Sequence, residues 1–151
     1  MKTDAELLRE LKQRCRVPRH FADLELEGMD DDGSAAYRKQ LRRVEALAAE
    51  RLDGAEFVDG SPLNVYLTGK FGAGKTRVAT WLLKRAYLGM KRARAGRIGP
   101  KSTPLFIRTN RLVEYRFSKR DDDEDAEEWN LLRARIFSSL FLVIEDRKSV
   151  V

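Results

Sequence analysis

A glycine-rich segment in the middle of the chain constrains its fold more than any other feature. Residues 69–76 read Gly-Lys-Phe-Gly-Ala-Gly-Lys-Thr and fit the pattern G-x-x-x-x-G-K-[S/T]. The glycines allow positive φ angles, so that backbone N–H groups can turn inward around a phosphate. An apolar stretch, residues 63–68, precedes the segment, and an amphipathic stretch, residues 75–88, follows it. This order of strand, loop and helix predicts a P-loop, which is a loop that binds the phosphates of a nucleotide.

The positions of this loop have predicted roles in binding ATP together with Mg²⁺. The ammonium group of Lys75 is expected to reach the β- and γ-phosphates, and the hydroxyl of Thr76 is expected to ligate Mg²⁺. The helix that follows the loop directs its N-terminus at the same anion. The predicted nucleotide-binding residues are Gly69, Lys70, Phe71, Gly72, Ala73, Gly74, Lys75, Thr76 and Arg77.

A second motif lies at the end of an apolar run. Residues 140–144 are apolar throughout, as is typical of a buried parallel strand, and Glu145 and Asp146 follow them. Ligands of open α/β sheets bind at the carboxyl ends of the strands. One carboxylate is therefore expected to hold the Mg²⁺ shell and the other to orient or deprotonate the attacking water, and which one serves the metal stays open. The predicted catalytic residues are Lys75, Glu145 and Asp146, and the predicted metal ligands are Thr76, Glu145 and Asp146.

Hydrophobic periodicity and turn residues divide the chain into alternating helices and strands. We predict strands at residues 63–68, 105–107 and 140–144. We also predict a first helix that ends near Cys15, helices at 35–52, 75–88 and 127–136, with Gly89 closing the one at 75–88, and a short helix that is capped by Asn110 and runs through Phe117. The acidic residues before 127 are expected to form a solvated loop or the start of that last helix. The alternation predicts an α/β fold, in which a parallel sheet lies between two helical layers. We predict an N-terminal helical and linker region over residues 1–58 and an ATPase core over residues 59–151.

The charge of the chain is unevenly distributed. The formal net charge is +6, and no acidic residue lies between Gly60 and Val113. Such a basic stretch attracts polyanions, either nucleotide phosphates or a nucleic-acid backbone, although a solvated basic face is the plain alternative. The single cysteine, Cys15, excludes an internal disulfide, and no apolar run approaches the roughly 20 residues that cross a bilayer. We therefore expect a cytoplasmic protein with no membrane partner.

Four stretches together resemble the DnaC/DnaI/IstB family of AAA+ ATPases, which are bacterial and phage helicase loaders and transposition helpers. They are Arg16–Phe21 with its Pro-x-x-Phe, the strand and P-loop at 64–76, Phe106–Thr109 followed by Leu112, and 131–146 with its ending that resembles a Walker B motif. The resemblance implies an AAA+ type P-loop NTPase fold and hydrolysis of ATP to ADP and phosphate. It also implies a replicative helicase or transposase as partner, contact with single-stranded DNA, and assembly into a homo-oligomer. The basic segment 84–101 is expected to touch the DNA or a neighbouring subunit.

The sequence departs from the family pattern in two respects. The motif after the last strand reads Glu-Asp, whereas the usual Walker B ending is Asp-Glu or Asp-Asp. The family's fourth strand lies between the first and the third, and that strand, the sensor residue, the arginine finger and the lid have no counterpart here. We therefore expect a chain truncated after Walker B, with reduced stability and weak turnover. A non-catalytic nucleotide-binding or interaction fragment is the alternative. A small-molecule P-loop kinase is a third interpretation, for which no acceptor-binding or lid constellation is visible.

Overall fold

The computed structural model describes eight stretches of the chain, residues 4–22, 35–52, 65–69, 73–93, 103–110, 113–114, 123–139 and 142–146. The regular elements in them are α1 (Asp4–Gln13), α2 (Ala35–Arg51), α3 (Lys75–Ala93), β1 (Leu105–Arg108), α4 (Asp123–Ser138) and β2 (Leu142–Glu145). Residues 109–110 and 113–114 are also helical, so Asn110 is itself helical and does not cap the predicted short helix, and the helical residues begin directly after β1. The predicted end at Phe117 lies outside the described stretches.

The two strands pair in parallel and form the sheet of the described residues. The register places Leu105 beside Leu142 and Arg108 beside Glu145. The predicted strand at 105–107 is therefore present and one residue longer. The connection from β1 to β2 runs through α4, as parallel neighbours require a crossover that returns the chain to the same end of the sheet.

Each face of the sheet packs against a different helix. Leu105 and Ile107 pack with Leu132 of α4, whereas Phe106 packs with Leu83 of α3. This division follows from the alternation of side chains along a strand. α2 lies on the far side of α3 and packs its own apolar residues there. The sheet therefore lies between α3 on one face and α4 on the other.

The predicted first strand is wrong over the residues that the structure describes. Residues 65–68 have no strand conformation, and Tyr66 is 90% exposed. Only Leu67 packs against a core cluster, the one between α2 and α3. A strand requires a hydrogen-bonded neighbour, and β1 and β2 pair with each other and not with this segment. Residues 63–64 of the prediction lie outside the described stretches.

α3 is longer than predicted, because Gly89 does not end it. The helix continues to Ala93, and both Gly89 and Met90 are buried. A glycine inside a helix costs about 1 kcal/mol relative to alanine. The burial of Met90 and the ion pair of Lys91 with Glu10 (Nζ–Oε2 2.7 Å) stabilise the extra turn and offset that cost.

α4 begins at Asp123, so the acidic residues from there on belong to a helix and not to a loop. Negative side chains are favoured in a first turn because they face the positive end of the helix dipole. Leu132 is buried, and Trp129 and Ile136 are partly buried, as predicted for the inward face. The expectation that the last strand is buried throughout is wrong, since Ile144 is 55% exposed. Residues 140–141 lie outside the described stretches.

α1 and the residues after it pack against the C-terminal half of α3. Cys15 lies in the same cluster as Tyr87 and Phe106, and its carbonyl oxygen accepts the backbone N–H of Phe106 at 2.8 Å. The carboxylate of Glu10 accepts hydrogen bonds from Tyr87 and Lys91. The N-terminal residues thus share a core with α3 and β1, while the domain division stays a prediction.

Candidate phosphate-binding site

The loop before α3 has the backbone conformation that its glycines predict. Gly74 has a φ of +87°, in the left-handed region that side-chain-bearing residues avoid. Its carbonyl oxygen accepts the N–H of Val78 at 3.0 Å and closes the first turn of α3. Gly74 is therefore the residue from which α3 starts, and the amides of the first turn point back along the helix axis toward the loop. Of the predicted binding residues, 70–72 lie outside the described stretches.

The side chain of Lys75 connects the two ends of the glycine-rich loop. The Lys75 ammonium group donates a hydrogen bond to the carbonyl oxygen of Gly69 at 2.7 Å. Lys75 is partly exposed and Gly69 is exposed, so this cation lies at an open edge of the protein. A cation held between the two ends of a glycine loop is well placed to meet an anion that enters the loop. Arg77 lies in the same first turn and is also partly exposed.

The two predicted motifs meet in space. The hydroxyl of Thr76, in the first turn of α3, donates a hydrogen bond to the carboxylate of Glu145 at the end of β2. The two residues are 69 positions apart in the sequence, and the contact is partly buried. The Glu145 side chain is 11% exposed. The structure thus brings a hydroxyl and a carboxylate together beside the start of α3.

Two neighbours of these carboxylates were not predicted as site residues. Arg108, at the end of β1, forms an ion pair with Glu145 (Nε–Oε2 3.2 Å). Thr109 donates a hydrogen bond to Asp146 (Oγ1–Oδ1 2.8 Å) and also lies 3.3 Å from the carbonyl oxygen of Glu145. The signal for both is their position: they follow β1 directly, at the edge where parallel strands place their ligands.

A further contact comes from α2. The phenol of Tyr37 donates a hydrogen bond to the carbonyl oxygen of Ala73 at 3.1 Å, and this contact is partly buried. Tyr37 also packs against the cluster between α2 and α3. The side chain therefore ties the last turn of the glycine loop to the core. No sequence pattern marks Tyr37, because it lies 36 residues before its partner.

The oxygen atoms of this site fit Mg²⁺ bound together with a nucleotide better than a resident metal ion. Among the described residues there is no group of three His, Cys, Asp or Glu side chains that could hold a metal. Thr76 and Glu145 supply a hydroxyl and a carboxylate oxygen. Mg²⁺ uses oxygen ligands and is commonly bound by one or two protein groups, with phosphates and waters completing its shell. The donor set therefore suits an ion that arrives with phosphates.

Comparisons with known proteins give this chain no relatives: no protein-family model, no curated protein and no solved structure matches it. The resemblance to helicase loaders accordingly stays a prediction from the sequence. Within the stretches that the structure describes, none of the helices combines the length and the apolar character that crossing a bilayer requires.

Proposed function

We propose that this chain binds Mg-ATP through residues 69–77 and acts as an AAA+ type ATPase of the helicase-loader class. The contact between Thr76 and Glu145 carries the proposal. Each motif alone is a short pattern in the sequence, whereas their meeting at the start of one helix is a three-dimensional observation. A hydroxyl from the glycine loop beside a carboxylate from a strand end is the arrangement that binding Mg²⁺ with a nucleotide requires.

The residues divide the work as follows. Lys75 would neutralise the β- and γ-phosphates, and the glycine loop and first turn of α3 would enclose them with backbone N–H groups. Thr76 and Glu145 would hold the Mg²⁺ that accompanies the nucleotide, because they already contact each other. Asp146 is exposed and held by Thr109, so it is the carboxylate that remains for the water.

The proposed reaction is hydrolysis of the terminal phosphoanhydride. A water molecule attacks the γ-phosphorus, the bond from that phosphorus to the bridging oxygen breaks, and ADP and inorganic phosphate leave. Asp146 orients the water and accepts its proton. Arg108 contacts one carboxylate oxygen of Glu145, Oε2, while Thr76 contacts the other, Oε1. Its cationic group would then be close enough to offset negative charge that develops on the phosphate.

The family resemblance supports the wider part of the proposal. In this view the chain works in the cytoplasm of a bacterium or in a phage-infected cell, with single-stranded DNA and a replicative helicase or transposase as partners. It would assemble with further copies of itself. The single cysteine and the basic stretch between residues 60 and 113 agree with a cytoplasmic protein that meets nucleic acid.

Nucleotide binding without turnover is the second candidate. The order of the two acids favours it, because the longer Glu145 stands beside Thr76 and the shorter Asp146 stands at the exposed end. An Asp-Glu order would place the longer side chain toward the water. The shorter reach of Asp146 and its hydrogen bond to Thr109 both hold this carboxylate back from the phosphate side.

A binding assay paired with a turnover assay tests the proposal. Titration calorimetry with Mg-ATP should give a measurable Kd for the native chain and at least a tenfold weaker Kd for Lys75→Ala, a difference of about 1.4 kcal/mol. Lys12→Ala in α1 removes the same charge away from the loop and should leave Kd unchanged. Absence of any ATP binding, or equal Kd values for native chain and Lys75→Ala, would refute the proposal.

Release of inorganic phosphate separates the two candidates. An ATPase should release phosphate in a reaction that Asp146→Asn slows by about two to four orders of magnitude, as loss of a general base does. Binding with no phosphate release above the background of Asp146→Asn would favour the second candidate.

A further inference from the structure

Helix α2 carries two opposite faces. Tyr37, Leu41, Val44 and Ala48 pack against α3, and they follow the spacing of three or four residues that defines one side of a helix. The side that points away from α3 is strongly basic. Arg38, Lys39, Arg42 and Arg43 lie there, and all four are exposed. We call these four residues the α2 basic face.

The α2 basic face has a regular spacing. Arg38 and Arg42 are four positions apart, as are Lys39 and Arg43, so the residues form two rows along the helix. Four positions of an α-helix rise about 6 Å. There is no acidic residue in the first turn of α2, and Glu45 is the first acid along the helix. The first half of the helix therefore presents positive charge alone.

We propose that the α2 basic face binds the phosphate backbone of a nucleic acid. Phosphates along one strand of a duplex advance about 3.4 Å per nucleotide along the axis and also turn about it, so neighbouring phosphates are roughly 7 Å apart in space. Cations that repeat about every 6 Å along a helix therefore match neighbouring phosphates. Contacts of this kind are electrostatic and independent of base sequence. The inference rests on the nucleic-acid partner in the proposed function and assigns that contact to a surface that uses none of the residues of the nucleotide site.

Other anionic partners fit the α2 basic face less well. A membrane-binding amphipathic helix inserts its apolar side into the lipid, but the apolar side of α2 is occupied by α3. A protein interface needs buried aromatic or aliphatic anchors, whereas the exposed neighbours of the cations include Ala35, Gln40 and Ala46.

The basic segment predicted from the sequence, 84–101, is a weaker candidate in its described part. Lys91 forms an ion pair with Glu10 and lies 4.7 Å from the centre of the Tyr87 ring. The guanidinium of Arg85 lies 5.4 Å from the centre of the Trp81 ring. Both of these cations are only partly exposed, whereas the four residues of the α2 basic face are exposed.

Fluorescence anisotropy with labelled DNA tests the proposal. The probes are a 20-nucleotide oligothymidylate and a duplex of the same length, each titrated with the full chain between 50 and 200 mM salt. Four phosphate contacts on a single strand give a log Kd against log salt slope of roughly 2.8, so affinity should fall about 50-fold over this range. For Arg42→Gln/Arg43→Gln, which leaves two contacts, the fall should be about 7-fold.

Matched controls keep the result specific. Arg9→Gln/Lys12→Gln removes two cations from α1 and should keep the native slope. Arg42→Lys/Arg43→Lys keeps the charge and should retain binding, which separates loss of charge from loss of folding. Lys75→Ala should bind DNA as the native chain does, so that failure of the nucleotide site and failure of this surface are distinguishable.

Three outcomes would overturn the proposal. The first is no binding of either DNA, and the second is an equal loss of affinity in the α1 and α2 double variants. The third is tighter binding to vesicles that contain anionic lipid than to either DNA. A weakened slope confined to the α2 variant supports it, and the DNA form bound more tightly by the native chain identifies the ligand.

Discussion

Replacing Glu145 by glutamine tests the proposed binding of magnesium separately from the stability of the protein. The substitution keeps the shape of the side chain and removes its charge. The ion pair with Arg108 contributes less than about 1 kcal/mol, because Arg108 is 40% exposed and solvent screens the pair. The hydrogen bond from Thr76 to a neutral amide is worth about 1 kcal/mol less than one to a carboxylate. The free energy of unfolding without ligand should therefore fall by about 1–2 kcal/mol.

Glu145→Gln should also reduce the additional free energy of unfolding that the protein gains from Mg-ATP. If the chain binds Mg-ATP as proposed, a concentration of about 100 times Kd should stabilise it by about 2.7 kcal/mol. If Glu145 holds the metal, Glu145→Gln raises Kd for Mg-ATP by tenfold or more, and at the same concentration the gain falls to about 1.4 kcal/mol or less. ATP with EDTA should stabilise the two proteins equally, because no metal is then bound.

Urea unfolding followed by circular dichroism measures the free energy of unfolding of each variant without ligand, with Mg-ATP, and with ATP and EDTA. Asp146→Asn is the matched control, since Asp146 is exposed and does not contact Thr76 in the described structure. That variant should keep the full gain from Mg-ATP. The reasoning would be refuted if Glu145→Gln kept the gain as well, or if Asp146→Asn lost it instead.

Four further predictions follow from single residues. Leu83→Ala removes a fully buried side chain beside α1 and should lower the free energy of unfolding by about 2–5 kcal/mol in urea titrations; a loss below about 1 kcal/mol would contradict the core described above. Gly74→Ala forces a side chain into a φ of +87° and should cost about 1–2 kcal/mol in the same assay; no measurable loss would contradict this backbone conformation. Tyr37→Phe removes the hydrogen bond to Ala73 and should weaken Mg-ATP binding severalfold in calorimetry, whereas an unchanged Kd would show that the loop does not depend on α2. Burial raises the pKa of Cys15 from 9.0 to about 12, so the thiolate forms first in the unfolded chain; the urea midpoint should then fall as the pH rises above about 9, and this fall should be smaller in Cys15→Ala.

The elements that were predicted correctly from the sequence are those that nearby residues in the chain determine. The start of α3 was predictable because the residue after the last glycine of the motif begins an amphipathic run. β1 was predictable from three consecutive apolar residues between turn signals. In each case the residues that decide the structure lie within one or two turns of the element they form.

The errors have non-local causes. Gly89 has the local signature of a helix end, but burial of Met90 and the ion pair between Lys91 and Glu10 extend the helix beyond it. Residues 65–68 have the composition of a strand, but strand formation also needs a partner elsewhere in the chain. Arg108 was visible as a basic residue, yet its role beside Glu145 depends on which strands are neighbours.

The register of the sheet decides whether the two motifs form one site. β1 and β2 end together at the pair Arg108 and Glu145, and α3 packs on the face that includes Phe106 and Val143. A slip of one residue would turn every side chain of β2 to the opposite face, so that Glu145 would point away from Thr76. The glycine loop and the acidic strand end are therefore insufficient by themselves. Because the packing of Phe106 and Val143 holds the register, substitutions in this part of the core should weaken the proposed magnesium binding without changing a proposed ligand.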